Sequence, residues 1–271
     1  MSNTRFILSR YPSLEKSRYA PLNTSECPCK LNNNFSEELI NNARFVNDIR
    51  SLLIYIQKES PLKLTQAGYL PPTLCKELAE NSALKEEDWW YEYRKQKVIR
   101  ESDFQYINIL HISSILFGLV KKRANQLSLT KKGASLLTTN SKIPLYRHTI
   151  NEYISKLEWG YTDGYPEAAI IQESVLISVF LVQKYGGSPH EARFYSEKFL
   201  EILPEAQYPF HNRGIGSSKD SFTNCYLRRV FEHFLKRFNL IRIEKKDSKK
   251  DYSELDTITK TPLSDILFIW E

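Results

Sequence analysis

Glycine is scarce in this sequence. Nine occur in 271 residues, and none falls in the G-x-x-x-x-G-K-[ST] spacing of a phosphate-cradling loop. RGIGSSK (213–219) has the flavour of such a loop without its spacing, and no strand in a βαβ context precedes it. It reads as a connector. Few glycines also argue against an all-β fold built on tight turns.

Long apolar runs are missing too. The windows ILHISSILFGLV (109–120) and AAIIQESVLISVFLV (168–182) are interrupted by His, Ser, Gln or Glu. Neither reaches the roughly 20 uninterrupted apolar residues of a membrane span. The N-terminal MSNTRFILSRYPSLEK lacks the apolar core of a signal peptide. A cytoplasmic protein without membrane contact is expected.

Recognisable catalytic and metal motifs are absent as well. The four cysteines include Cys27 and Cys29, half of a zinc site, but no second close Cys/His pair follows to complete four ligands. Reduced thiols and no metal are expected. The five histidines lack H-x-x-x-H or H-E-x-x-H partners, no G-x-S-x-G elbow occurs, and no Cys has a His near it in sequence. Glu86-Glu87-Asp88 would fan around a helix rather than converge. A non-enzymatic protein without cofactor is the reading.

What is present is a soluble composition, 41% hydrophobic and 26% charged, with 38 Lys+Arg against 32 Asp+Glu for a net charge of +6. That excess favours a polyanionic partner only weakly. Aromatic residues make up 13%, so aromatic packing should be prominent.

Residues 1–34 are polar and proline-punctuated and read as irregular. Ser36 resembles an N-cap, with Leu39, Ala43, Val46, Ile49, Leu53 and Ile56 at helical spacing behind it. PLKLTQAGYLPP (61–72) then compresses three signals. Leu62-Lys63-Leu64 alternates as a strand does, Thr65–Gly68 makes a turn, and the prolines suit the first turn of a helix. A helix breaking at Gly118, two strand-like pieces about Lys122–Asn125, and a helix after Thr130 complete a winged-helix grammar.

The same grammar returns at 222–267. Phe222, Tyr226, Val230 and Phe234 mark a helix, Phe238–Ile243 a strand, 247–254 a hairpin tip, and Thr257–Lys260 the return strand. Matching Thr130-Lys131 to Thr259-Lys260 aligns the two as an internal repeat. Residues 141–205 read as helical throughout, with Ser188–Glu191 opening a helix.

The expected fold is therefore α+β and predominantly α-helical, with tandem winged-helix-like modules joined by a helical region. Its segments are an N-terminal segment plus helix (1–60), a first module (61–140), a helical linker region (141–214) and a second module (215–271).

PLKLTQAGYLPPTLCKELAE, LFGLVKKRANQLSLTKKGASLL and PLYRH follow one another in order. In this the chain resembles the C-terminal half of bacterial insertion-element passenger, or plasmid open-reading-frame-three-like, proteins. The similarity covers 61–150 well and 151–271 loosely. Those relatives usually carry a further N-terminal α/β domain, which residues 1–60 do not resemble. The resemblance implies fold and association with mobile elements rather than an activity.

A winged helix binds DNA by placing a helix in the major groove and a hairpin on the backbone, where Lys and Arg meet phosphate. The first module offers Lys121, Lys122 and Arg123 on its hairpin, with Lys131 and Lys132 beyond. Its presumed groove helix offers Gln105, Asn108, His111 and Ser114, none a permanent cation. The second offers Arg228, Arg229, Lys236 and Arg237 on the helix and Arg242, Lys245, Lys246, Lys249 and Lys250 on or near the hairpin. The second module is the favoured contact with double-stranded DNA. A solvated basic face with i,i+4 pairs such as Arg228–Glu232–Lys236 is the plain alternative. A protein-interaction scaffold using the same faces without nucleic acid is the second functional reading. WWYEYR (89–94) fits an aromatic plug between modules better than a base-stacking platform.

Overall fold

The structure, a computed structural model, describes residues 27, 29–81, 98–211, 218–246 and 255–270. The WWYEYR segment, most of the RGIGSSK connector and the 247–254 hairpin tip lie outside these residues, as do Lys249 and Lys250. The fold is α+β and mainly helical, with three short sheets among the described residues. Among the described residues no helix is long and apolar enough to cross a membrane.

In chain order the elements are β1 (Cys29–Leu31), α1 (Arg44–Lys58), β2 (Leu62–Lys63), α2 (Pro72–Asn81), α3 (Gln105–Leu116), β3 (Val120–Arg123), β4 (Gln126–Leu129), α4 (Lys131–Thr138) and α5 (Ile143–Ser155). There follow α6 (Gly160–Asp163), α7 (Ala169–Glu173), α8 (Val175–Tyr185), β5 (His190–Glu191), α9 (Ala192–Ile202) and α10 (Ser218–Tyr226). A π-helix (Leu227–Lys236), β6 (Ile241–Glu244), β7 (Thr257–Lys260), α11 (Pro262–Leu267) and β8 (Phe268–Trp270) complete the chain. These elements divide into two compact units. One is Ile40–Leu157; the other joins the described residues up to Leu39 to those from Glu158 onward.

In the Ile40–Leu157 unit, α1 turns Phe45, Val46, Ile49, Leu52, Leu53 and Ile56 inward, each worth about 1.5–3 kcal/mol of gross transfer free energy. Phe45 meets Tyr106 and Tyr153 edge-on, and the Tyr106 hydroxyl donates to buried Asp48 at 2.8 Å. Ser36 does not cap α1. Its hydroxyl accepts the Glu38 N–H at 3.3 Å ahead of a short 3-10 turn, Glu37–Ile40.

The PLKLTQAGYLPP stretch does supply a strand, a turn closed by Gly68 N–H on the Thr65 carbonyl at 2.8 Å, and a helix starting at Pro72. Its strand β2 pairs antiparallel with β4, which pairs with β3, giving the order β2-β4-β3.

Helix α3 ends at Gly118, whose φ of +70° is one that side-chain-bearing residues rarely adopt. The Gly118 N–H bonds the Ile115 carbonyl, and the Leu119 N–H reaches back to that of Ser114. Thr130 then begins α4 with its hydroxyl accepting the Gly133 N–H at 2.9 Å, as the sequence led us to expect. Its backbone N–H and hydroxyl return to the Leu119 and Gly118 carbonyls.

The other unit repeats this plan. Helix α8, strand β5, helix α9, the α10–π helix and the β6–β7 hairpin follow in the same order, and the sheet order is β5-β7-β6. Asn239, at φ +58°, stands where Gly118 stands. The Asn239 and Leu240 N–H groups bond the Lys236 and Leu235 carbonyls, and Thr261 returns to the Leu240 and Asn239 carbonyls.

The residue whose bonds match those of Thr130 is therefore Thr261, not Thr259, two residues from the expected register. His190–Glu191, expected to open a helix, instead pair with Ile258 and Thr257. A two-residue strand has too little length for periodicity to reveal it. Likewise Cys29–Leu31, within a segment expected to be irregular, pair with Phe268–Trp270. An aromatic cluster including Tyr195, Phe199, Phe222, Tyr226 and Phe231 fills this unit's core.

Candidate nucleic-acid interface

Strand pairing decides which cations share a face, because residues directly opposite in a sheet project to the same side. In the first sheet Leu62, Leu127 and Lys122 share one row, and Val120 and Leu129 the same face. Leu62, Leu127 and Val120 are buried there, so this is the inner face. Lys122 sits at its exposed edge, with Nζ 3.4 Å from the Gly68 carbonyl.

The opposite face carries Lys63, Gln126 and Arg123 in one row and Ser128 and Lys121 in the next. Lys63, Lys121 and Arg123 are all exposed and, among the described residues, none is in an ion pair. With strands about 4.8 Å apart and alternate residues about 6.7 Å apart, these three cations fall within about 12 Å of one another at the backbone. Among the described residues, neither row of this sheet face contains a carboxylate. Lys131 and Lys132 are exposed at the start of α4, an end where the helix dipole opposes cations and attracts anions.

The second sheet keeps the register and inverts the charge of one row. Its outer face presents Glu191, Thr257 and Glu244 in one row, and Thr259 and Arg242 in the next. Where the first sheet has Lys63 and Arg123, this one has Glu191 and Glu244.

The helix residues expected to help it turn elsewhere. Arg229 is 1% exposed. Its Nε and Nη2 grip Asp163 at 2.5 and 2.8 Å, Nη2 also donates to the Tyr165 carbonyl at 2.7 Å, and Nη1 donates to the Ala168 carbonyl. Burial works against the guanidinium charge, but the Asp163 bond and the neighbouring negative charges outweigh it, and its pKa is raised. Arg237 is 8% exposed.

Arg228 is half-buried and Arg229 buried, so the two do not share one exposed polar face. Arg229 follows the apolar stripe inward, and Arg237 lies eight residues further along. Both are removed from the phosphate-contacting set.

Of the rest, Arg228 is half-buried, Lys236 pairs with Glu232 at 2.9 Å, and Arg242 and Lys245 are exposed. Lys246 is exposed with Nζ 3.9 Å from Glu191. Lys121 and Arg123 are brought together on one face while Lys122 lies on the other; the second set is dispersed. Lys63 was missed, although the alternation Leu62-Lys63-Leu64 signals it: two buried leucines flank a side chain that must point outward.

Helix α3 also differs from expectation. Glu101, 1% exposed, gathers its polar side chains. One carboxylate oxygen accepts Asn108 Nδ2 at 2.8 Å and lies 3.0 Å from His111 Nδ1; the other accepts the Leu70 N–H at 2.6 Å. Ser114 donates to the His111 carbonyl at 2.7 Å, and both His111 and Ser114 are buried. Cys75, near the same carboxylate, has its thiol pushed up to about 12, chiefly by burial and then by Glu101. It carries negligible thiolate at neutral pH. All four cysteines are buried outside disulfides. Among the described residues no group of three or more His, Cys, Asp or Glu is placed to hold a metal ion.

A family model described as the Y4jL N-terminal domain matches residues 41–143, less than half of the chain. The span lies within the Ile40–Leu157 unit and includes the whole basic sheet. No curated protein and no solved structure gives a significant match.

Proposed function

We propose that this is a non-enzymatic protein built on two winged-helix-like modules that contacts the backbone of duplex DNA through the outer face of its first sheet. One observation carries the reading: Lys63, Lys121 and Arg123 are exposed on one face of the first sheet, whose two rows there hold no carboxylate among the described residues. The order helix, strand, helix, helix, strand, strand, met twice, supports the winged-helix description. The resemblance to insertion-element passenger proteins fits a role alongside mobile DNA in a bacterial cytoplasm.

The weight moves from the second module to the first, since Arg229 and Arg237 are internal and Glu191 and Glu244 face outward.

The test is binding of the full chain to random-sequence duplex at low salt, with a K63E/K121E/R123E variant beside it. Binding that the triple variant loses supports the reading. No binding at low salt, or a triple variant that binds as the parent does, contradicts it.

A protein-interaction role draws on one feature. The outward positions of α3 include half-buried Ile112 and Ile115 and exposed Leu116, more suited to an apolar partner than to a groove. Failure of the DNA test with retention of a protein partner sensitive to Leu116→Lys would favour that reading.

A further inference from the structure

We infer that the first module holds duplex DNA without reading its base sequence. This rests on the backbone-contact reading above and narrows it, from a DNA-binding module in general to one whose partner is any duplex.

Direct readout needs side-chain donors and acceptors aimed outward from the element that enters the groove, because base edges are distinguished by their hydrogen-bond patterns. In this module that element would be α3, which follows α2 and precedes the hairpin.

Its polar side chains are committed inside the protein. Tyr106 donates to Asp48, Asn108 donates to Glu101, His111 lies against the same carboxylate, and Ser114 donates to the His111 carbonyl. Ser113 is fully buried.

Turning Asn108 outward would strip a partner from a carboxylate that is 1% exposed, and a buried charge losing a hydrogen bond is costly. The same carboxylate holds the Leu70 N–H. Freeing the helix for readout would therefore also loosen the segment leading into α2.

What α3 does show to solvent is Gln105 at one end, half-buried Asn108 with its amide bonded to Glu101, then Ile112, Ile115 and Leu116. The last three have no hydrogen-bonding side chain at all. A groove contact through them would dehydrate base edges and return no donor or acceptor to them.

The sheet face has the opposite character. Lys63, Lys121 and Arg123 offer charge to phosphates, which repeat identically whatever the sequence. Affinity and readout thus separate in this module: the elements that bind carry no sequence information, and the element that could carry it is tied up internally.

The experiment selects ligands for the full chain from a randomised duplex pool, then measures affinities for several unrelated duplexes of equal length. K63E/K121E/R123E and Gln105→Ala are measured in parallel. The expected result is no consensus, affinities that agree within about threefold, an unchanged Gln105→Ala variant and a triple variant that has lost binding. A single base pair read through a good bidentate contact would separate cognate from mutated duplex by about fivefold or more.

A consensus sequence, a preference of that size, or binding lost in Gln105→Ala overturns the inference while the DNA-binding function stands. No binding to any duplex at low salt, or binding that survives in the triple variant, overturns both.

Discussion

Lys63 on β2 and Glu191 on β5 occupy one equivalent position in two sheets of the same strand order, Lys63 opposite Gln126 and Glu191 opposite Thr257. Across the same row, Arg123 is matched by Glu244. Backbone hydrogen bonds and the inner face hold each sheet together, so the outer face is free to differ without cost to the fold. The two sheets differ there in charge, and the first carries the basic surface.

Arg229 gives a prediction that separates a structural from a DNA-contacting arginine. Removing one partner of a buried, hydrogen-bonded ion pair costs about 3–5 kcal/mol, so Arg229→Ala should shift the denaturant midpoint strongly downward. Asp163→Ala should do the same, because it strands the same guanidinium. A phosphate-contacting Arg229 would instead leave stability unchanged and weaken DNA binding.

The junction between α3 and α4 predicts a sharp steric effect. A Cβ at Gly133 would stand 2.1 Å from the Leu119 carbonyl oxygen, a backbone atom that cannot swing aside. Gly133→Ala should therefore destabilise by about 1–3 kcal/mol, as overpacking does. Thr130→Ala, which loses the cap, should cost about 1 kcal/mol, with Thr130→Ser restoring most of it. Thermal or urea unfolding of the three variants checks this ranking.

Two histidines set an acid limit on stability. His233 is held well below its usual pKa, first by burial and then by Arg237, Arg228, Arg229 and Lys236. His148 is lowered mainly by burial, although its bond to the Phe117 carbonyl and the charge of Glu152 pull the other way. Below about pH 6.5 the unfolded chain binds protons at these sites, while the native state resists until its own lower pKa is reached. Stability from these groups is therefore intact above about pH 6.5 and falls as pH drops, by up to about 1.4 kcal/mol per pH unit for each. Urea midpoints between pH 7 and 5 should show the decline, and His233→Gln should flatten it.

The parts of this fold legible in the sequence are the local ones. Helix α1 declares itself by spacing, α2 by Pro72, the end of α3 by Gly118 and the start of α4 by Thr130. Their signals lie within a few residues of the structure they make.

The features that escaped are non-local. Arg229 finds Asp163 across 66 positions, and nothing beside Arg229 announces that partner. Glu101 draws together Leu70, Asn108 and His111, which turned a helix of apparent base readers into an internal network. The candidate surface itself was half-legible: Lys121 and Arg123 alternate along one strand, but only the pairing of β2 with β4 sets Lys63 beside them.

The most direct test of the central claim is the salt dependence of duplex binding for the parent and for K63E/K121E/R123E. Three phosphate contacts predict a slope of about −2.7 in log K against log salt, an affinity loss of about 40-fold from 50 to 200 mM. The account predicts that slope for the parent and no measurable binding for the triple variant, with R242E/K245E/K246E close to the parent. A triple variant that keeps the parental slope, or a second-unit variant that alone abolishes binding, would contradict it.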